Sequence, residues 1–229
     1  MTIGIIGAMD EEVAILLENM TDKKQQIIAN CLFAEGYIDG KKVVLLKSGI
    51  GKVNAAMAAT IMHERYQPSR VINTGSAGGF HEDLTIGDIV ISTEVVHHDV
   101  DATAFDYDYG QLPGMPSAYK ADKELIQQVM KALEQLELPY KKGLIATGDS
   151  FMEDQERVGF VRHKFKGLLA AEMEAAAIAQ VCYQYNIPFV IIRALSDIAG
   201  KSSSVSFEAF LEKAAKNAAD LIITMIREM

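Results

Sequence analysis

Positive charge is in short supply in this sequence. Its 229 residues carry 22 Lys and Arg against 31 Asp and Glu, a formal net charge of −9, and no basic run is longer than a pair. A surface that grips a phosphate backbone needs clustered Lys and Arg, so a nucleic-acid partner is excluded. A polyanionic substrate is disfavoured more weakly, because local charge outweighs the total. Cysteine is scarcer still: Cys31 and Cys182 stand far apart among apolar neighbours, in no CxxC or other metal-like spacing. That pattern excludes a disulfide framework and reads as two buried thiols in a reducing compartment. No apolar stretch approaches the ~20 residues of a membrane helix. The apolar start, Met1–Ala8, is broken at once by Asp10-Glu11-Glu12, unlike a secretion signal. The expected location is therefore the cytoplasm, with no membrane partner. Also missing are linkers rich in Pro, Gly or Ser, internal repeats and low-complexity tracts. At 49% hydrophobic and 23% charged, the chain reads as one domain over residues 1–229, long enough to bury a substantial core.

What is present has the grammar of an α/β protein. Thr2–Gly7 is a short β-rich run, and Val13, Leu16, Leu17 and Met20 then repeat at helical spacing behind an acidic first turn. Val43–Lys47 reads as a strand, Ser48–Gly51 as a turn, and Val53–Tyr66 as an Ala-rich helix. Arg70–Thr74 reads as a strand running into Gly75-Ser76-Ala77-Gly78-Gly79. Extended runs follow at Gly87–His98 and Gly143–Thr147, helices at Asp122–Leu136 and Met173–Tyr185, and a wholly apolar strand at Phe189–Leu195. A closing helix carries one apolar stripe through Phe207, Phe210, Leu211, Ala214, Ala215, Ala218, Leu221, Ile222 and Met225. The fold class expected is α/β, a three-layer α/β/α sandwich around a mixed central sheet. His98–Tyr119 has no period but carries Phe105, Tyr107 and Tyr109, which reads as a long loop that packs on a ligand or a partner subunit.

Ligands of open α/β sheets bind beyond the carboxyl ends of the strands. Four such ends carry unusual residues: Met9–Glu12, Gly49–Gly51, Gly75–Gly79 and Ser196-Asp197. If the sheet is parallel there, they converge on one crevice. Neither GxGxxG nor GxxxxGK[ST] is completed, which weighs against a dinucleotide or P-loop site. No HExxH or GxSxG occurs, and His97-His98 would point to opposite faces of a strand, so a metal or a hydrolase triad is not expected. The carboxylates remain. Glu172 and Glu174 are two apart at a helix start, where ~200° of rotation lets only one face a crevice. Asp197 ends an apolar strand, where poor solvation favours the protonated form of a general acid. A helix N-cap or a partner for Arg193 is the structural alternative for it.

The segments GIIGAMDEE, SGIGKVNAA, NTGSAGG, ATGDSF, AAEMEAAAIA and IRALSD, in this order and over essentially the whole chain, resemble the purine nucleoside phosphorylase/nucleosidase superfamily. The resemblance is nearest to its bacterial 5′-methylthioadenosine/S-adenosylhomocysteine nucleosidases. It implies a nucleoside phosphorylase-like fold, a homodimer, no metal and no cofactor, and hydrolysis of the bond between adenine and ribose with a nucleoside and water as substrates. By residue matching it makes Asp197 the acid at N7, Glu12 the base for water, and Glu174 the ribose ligand beside Met173. Ser76, Arg193 and Ser196 border the reacting groups. Phe151 and Met152 receive adenine, Met9, Ile50 and Phe207 the alkylthio group, and Phe105 and Pro113 reach across the dimer. Phosphorylases of the superfamily hold phosphate with arginines, where this chain has Glu12 and Asn73. A carboxylate repels phosphate and polarises water, so hydrolysis is expected ahead of phosphorolysis. Nucleoside binding without cleavage would need neither acid nor base, and a nucleosidase for a related purine metabolite such as futalosine is a narrower rival within the enzyme class. Ala102 stands where related enzymes often carry a bulkier aliphatic residue.

Overall fold

The protein is described from a computed structural model covering residues 1–201 and 203–229. The elements, in chain order, are β1 (Ile3–Gly7), α1 (Asp10–Glu18), β2 (Thr21–Ile28), β3 (Cys31–Ile38), β4 (Lys41–Lys47), α2 (Lys52–Tyr66), β5 (Arg70–Gly79), β6 (Ile89–His97), β7 (Tyr119–Lys120), α3 (Lys123–Leu136), β8 (Tyr140–Thr147), α4 (Gln155–Lys164), β9 (Leu168–Glu172), α5 (Ala175–Tyr185), β10 (Phe189–Ile198) and α6 (Ser203–Glu228). Local chemistry sets several boundaries. The Asp122 carboxylate accepts the Leu125 N–H at 2.9 Å to start α3, and Asp154 accepts the Arg157 N–H at 2.8 Å to start α4. Asn186 closes α5 in the left-handed conformation, which its short polar side chain tolerates.

All ten strands belong to one mixed sheet. β4, β1, β5 and β10 run parallel in that order, as do β6, β8 and β9. Antiparallel pairings of β10 with β6 and of β5 with β9 join the two sets, so five strands close into a ring. Gly78 pairs with Ala171 and Gly79 with Ala170, which brings the carboxyl ends of the two parallel sets together. Helices α1, α3 and α6 pack together on one side of the sheet and α2 with α5 on the other, giving three layers. The main core runs through Ile3, Ile5, Leu45, Ile72, Ile191 and Ile222. A smaller cluster of Phe80, Val96, Ala146 and Met152 lies under Val158 and Val161 of α4.

Several elements depart from the sequence expectation, among them β3, a strand that was not expected. β2 is an edge strand exposed along nearly its whole length, so no apolar alternation marks it. β9 is buried at all five positions and carries no period, and α4 offers only Val158 and Val161 to the core. The segment expected as a loop from His98 to Tyr119 holds a 3-10 turn at Thr103–Phe105 and ends in β7. The stripe on α6 is buried from Ala214 onward, whereas Phe210 is exposed, because the first turns of α6 overhang the site. Cys31 and Cys182 are buried free thiols. Among the described residues no helix is long and apolar enough to cross a membrane.

Candidate active site

The carboxyl ends of β1, β4, β5 and β10 do converge. They open into one cavity of about 350 Å³, bordered by Met9, Glu12, Ile50, Ser76, Gly78, Phe151, Met152, Met173, Glu174, Ser196, Asp197 and Phe207. This volume suits a small organic molecule.

Glu12 lies in the first turn of α1, and its carboxylate turns back toward the sheet. Oε2 accepts the N–H groups of Ala8 at 2.7 Å and Met9 at 3.2 Å, and Oε1 accepts the Ser76 N–H at 2.9 Å and the Ser76 hydroxyl at 3.2 Å. Four donors therefore fix a side chain that is 4% exposed. Gly75 makes this possible, because a Cβ there would stand 2.6 Å from Glu12 Oε1 and collide with the Arg193 guanidinium.

Asp197 is buried near the end of β10 and its Oδ1 accepts the Ser196 hydroxyl at 3.0 Å. Among the described residues it pairs with no arginine, and besides Ser196 it meets the Ser203 hydroxyl at the start of α6. Burial pushes its carboxyl up, against the opposing hydrogen bonds from Ser196 and Ser203. A Cβ at Gly78 would stand 3.1 Å from Asp197 Oδ2. Gly75 thus abuts Glu12 and Gly78 abuts Asp197, and both carboxyl-bearing residues border the cavity.

Arg193 is the largest fully buried side chain, and it lies beneath the cavity rather than on its wall. Its Nη2 donates to Asn73 Oδ1 at 2.8 Å and to Glu172 Oε2 in a short ion pair, and stands 3.7 Å from Glu174 Oε2. The expectation that a helical offset separates Glu172 from Glu174 is corrected here. Glu172 ends β9, and Glu174 precedes α5 with φ −133° and ψ −36°. Both border the cavity, but their partners differ. Glu172 is saturated: besides Arg193, Oε2 accepts the N–H groups of Glu174 at 3.0 Å and Ala175 at 2.8 Å, and Oε1 accepts the Thr147 hydroxyl. Glu174 Oε1 accepts one donor, the Gly51 N–H at 2.8 Å. Burial, reinforced by Glu172 and opposed by Arg193, pushes the Glu174 carboxyl up to about 8.

Phe151 and Phe207 meet edge to face at the mouth, with ring centroids 5.9 Å apart. Ser204 and Glu208 also border the cavity and were missed from the sequence, although Ser204 stands three residues before Phe207 and so shares its helix face. Phe105 and Pro113 do not border this cavity; both are exposed, Phe105 at 77%. His97 and His98 are buried, and burial pushes both imidazoles down. The Asp99 carboxylate beside them pairs with Lys52.

Comparison with known proteins converges on one group. The profile of the Phosphorylase superfamily matches residues 2–227. A 5′-methylthioadenosine/S-adenosylhomocysteine nucleosidase of Oceanobacillus iheyensis is 61% identical over 229 residues, covering 100% of both chains. The nucleosidase of Neisseria meningitidis in complex with methylthio-immucillin-A superposes with a TM-score of 0.98 at 44% identity, over 100% of this chain and 99% of that one. The Colwellia psychrerythraea enzyme in complex with adenine superposes with a TM-score of 0.95 at 51% identity, over 99% of this chain and 94% of that one.

Proposed function

Because this chain belongs to the Phosphorylase superfamily and, within it, to the 5′-methylthioadenosine/S-adenosylhomocysteine nucleosidases, we propose how its own residues carry out that hydrolysis. The protein is an N-glycosidic hydrolase that releases adenine from methylthioadenosine and S-adenosylhomocysteine. The observation that carries the division of roles is that Glu12 and Asp197 border one cavity, the first held by four donors and the second poorly solvated.

Asp197 holds a proton and delivers it to N7 of the purine, so that adenine leaves neutral as the C1′–N9 bond breaks. The ribosyl group develops oxocarbenium character, as in O-glycoside cleavage. Water adds to C1′ from the opposite side, and its proton passes to Glu12. The Ser76 hydroxyl, one of the two longest of the four bonds to Glu12 and the only rotatable donor, turns aside to admit that water. Glu174, with a single donor, has lone pairs free for the ribose hydroxyls. Arg193 and Glu172 hold the strand ends beneath, and Ser196 orients Asp197. Phe151 and Met152 border the purine, while Met9, Ile50, Met173 and Phe207 enclose the sugar and the alkylthio group.

The same geometry weighs against phosphorolysis. The N–H groups of Ala8, Met9 and Ser76, which would otherwise cradle an anion, already bind the Glu12 carboxylate, and a phosphate would have to displace one negative charge with another. Incubation with methylthioadenosine in phosphate-free buffer should yield adenine and methylthioribose at an undiminished rate. Strict dependence on phosphate, with a sugar phosphate as product, would overturn the assignment of water as nucleophile.

The exposed Phe105 and Pro113 suit a homodimer in which each chain closes the other's cavity; a monomer in sedimentation equilibrium would remove that role. Two buried free thiols support a cytoplasmic location, which fractionation of cells would test.

A further inference from the structure

Gly51 donates its N–H to Glu174, and the residue after it belongs to a ring of polar contacts that the reaction does not use. Lys52 Nζ pairs with Asp99 Oδ1 at 2.6 Å. Asp99 Oδ2 accepts the Asp149 N–H at 2.9 Å, and Asp149 Oδ1 accepts the Lys52 N–H at 2.8 Å, which closes the ring. Three segments remote in sequence are joined: the start of α2, the chain leaving β6, and the loop from β8 to α4 that carries Phe151 and Met152.

The ring is tightly seated. A Cβ at Gly148 would collide with the His98 ring, and one at Gly51, where φ is +95°, would stand 3.1 Å from Asp149 Oδ1. The Lys52 and Asp99 side chains are 21% and 26% exposed, so water and salt screen them less than an ordinary surface pair. Burial pushes the Asp99 carboxyl up, but Lys52 and the Asp149 N–H outweigh it and hold Asp99 below the usual carboxylate range.

We propose that Asp99, Lys52 and Asp149 form a positioning clasp that fixes the 148–154 loop and the Gly51 N–H relative to Glu174. The inference rests on the reading that this loop receives the purine and Glu174 the ribose. None of the three residues touches the reacting atoms, and the clasp acts by holding the groups that do.

Lys52→Met removes the ion pair and keeps the backbone N–H, and Asp99→Asn removes it from the other side. Either variant should raise KM for methylthioadenosine about five- to tenfold and weaken adenine binding by a similar factor, with kcat within about twofold of the parent. The double variant should match the single ones, because one interaction has been removed twice. Lys52→Arg should restore both parameters. Parental KM and adenine affinity in Lys52→Met, additive losses in the double variant, or a lowered melting temperature with unchanged affinity would each overturn the clasp. Should Asp99→Asn fail to fold, Lys52→Met and its Lys52→Arg counterpart still decide. Adenine affinity, measured by calorimetry, needs no turnover. A wrong assignment of Asp197 or Glu12 would therefore show as retained kcat in their own variants and leave this result standing.

Discussion

Glu12, at the floor of the cavity, is 4% exposed and accepts four hydrogen bonds, whereas Phe151, at its mouth, is 44% exposed and meets the edge of Phe207. The floor is built from strand ends and from backbone N–H groups whose directions are fixed by the sheet. The rim is built from a connecting loop and the first turns of α6; polar contacts anchor the loop, while the surface the rim turns to the cavity is largely the apolar rings of Phe151 and Phe207. Directed polar bonds fail abruptly when one partner is changed, because a buried donor or acceptor is left unpaired. Apolar contact declines in proportion to the area removed. In the proposed reading, chemistry that depends on tenths of an ångström sits on the floor, and the rim takes the purine face and the alkylthio tail.

The largest effects should come from the floor. Asp197→Asn removes the proton delivered to the purine and should lower kcat by about 10²–10⁴. It should leave the fold intact and the melting temperature unchanged or raised, because a poorly solvated carboxyl disappears while the amide oxygen still accepts from Ser196. Glu12→Gln should lose activity on a similar scale, about 10²–10⁴, but should also unfold earlier. Its amide nitrogen must face N–H donors of either Ala8 and Met9 or Ser76, which leaves at least one buried donor unpaired at a cost of about 1–3 kcal/mol, or several degrees in Tm. Full turnover by Asp197→Asn, or a Tm for Glu12→Gln equal to that of the parent, would break the contrast between a strained acid and a saturated base.

A subtler separation lies within the floor. Glu174 is pushed up to about 8 from an ordinary 4.5, so between those values the folded protein holds a proton that the unfolded chain has released. Stability must then fall as pH rises through that window and level off above it. Asp197 is shifted in the same direction from its own lower start, so some slope remains when Glu174 is removed. Glu174→Gln should flatten the decline in Tm between pH 4.5 and about 8. An unchanged slope would mean that the shift is not felt in the empty site. For turnover, the Asp197 proton is required, so kcat should fall as pH rises above its raised pKa.

The sequence made the floor legible and left much of the rim and sheet edge obscure. Strand ends marked by Glu12, Ser76 and Asp197 break apolar or glycine-rich runs, and such breaks are visible one residue at a time. The helix α3 was legible because Asp122 caps an apolar stripe that α6 covers. β2 was not, because both its faces meet water and no alternation is imposed. The roles of Glu172 and Glu174 could not be separated by helical geometry, since β9 and the turn after it precede the helix. What separates them is Arg193 and Thr147, which reach Glu172 from β10 and β8, and no local spacing encodes that. The ring-shaped closure of β5, β10, β6, β8 and β9 is likewise a property of pairings between distant strands.

The smallest effects should appear at the two rings of the rim, and they test whether those rings act through apolar area alone. Phe207→Leu and Phe151→Leu each keep an apolar side chain but lose an aromatic edge or face. Each should raise KM by about three- to tenfold with kcat nearly unchanged, since an edge-to-face pair contributes about 0.5–1.5 kcal/mol beyond its burial. The two rings touch each other, so the double variant should cost less than the product of the single ones: the second change removes a contact already lost. A clean product would mean that each ring acts on the ligand independently. A fall in kcat in either single variant would mean that the rim also orients the purine toward Asp197, and the division between a chemical floor and a recognising rim would have to be redrawn at Phe151.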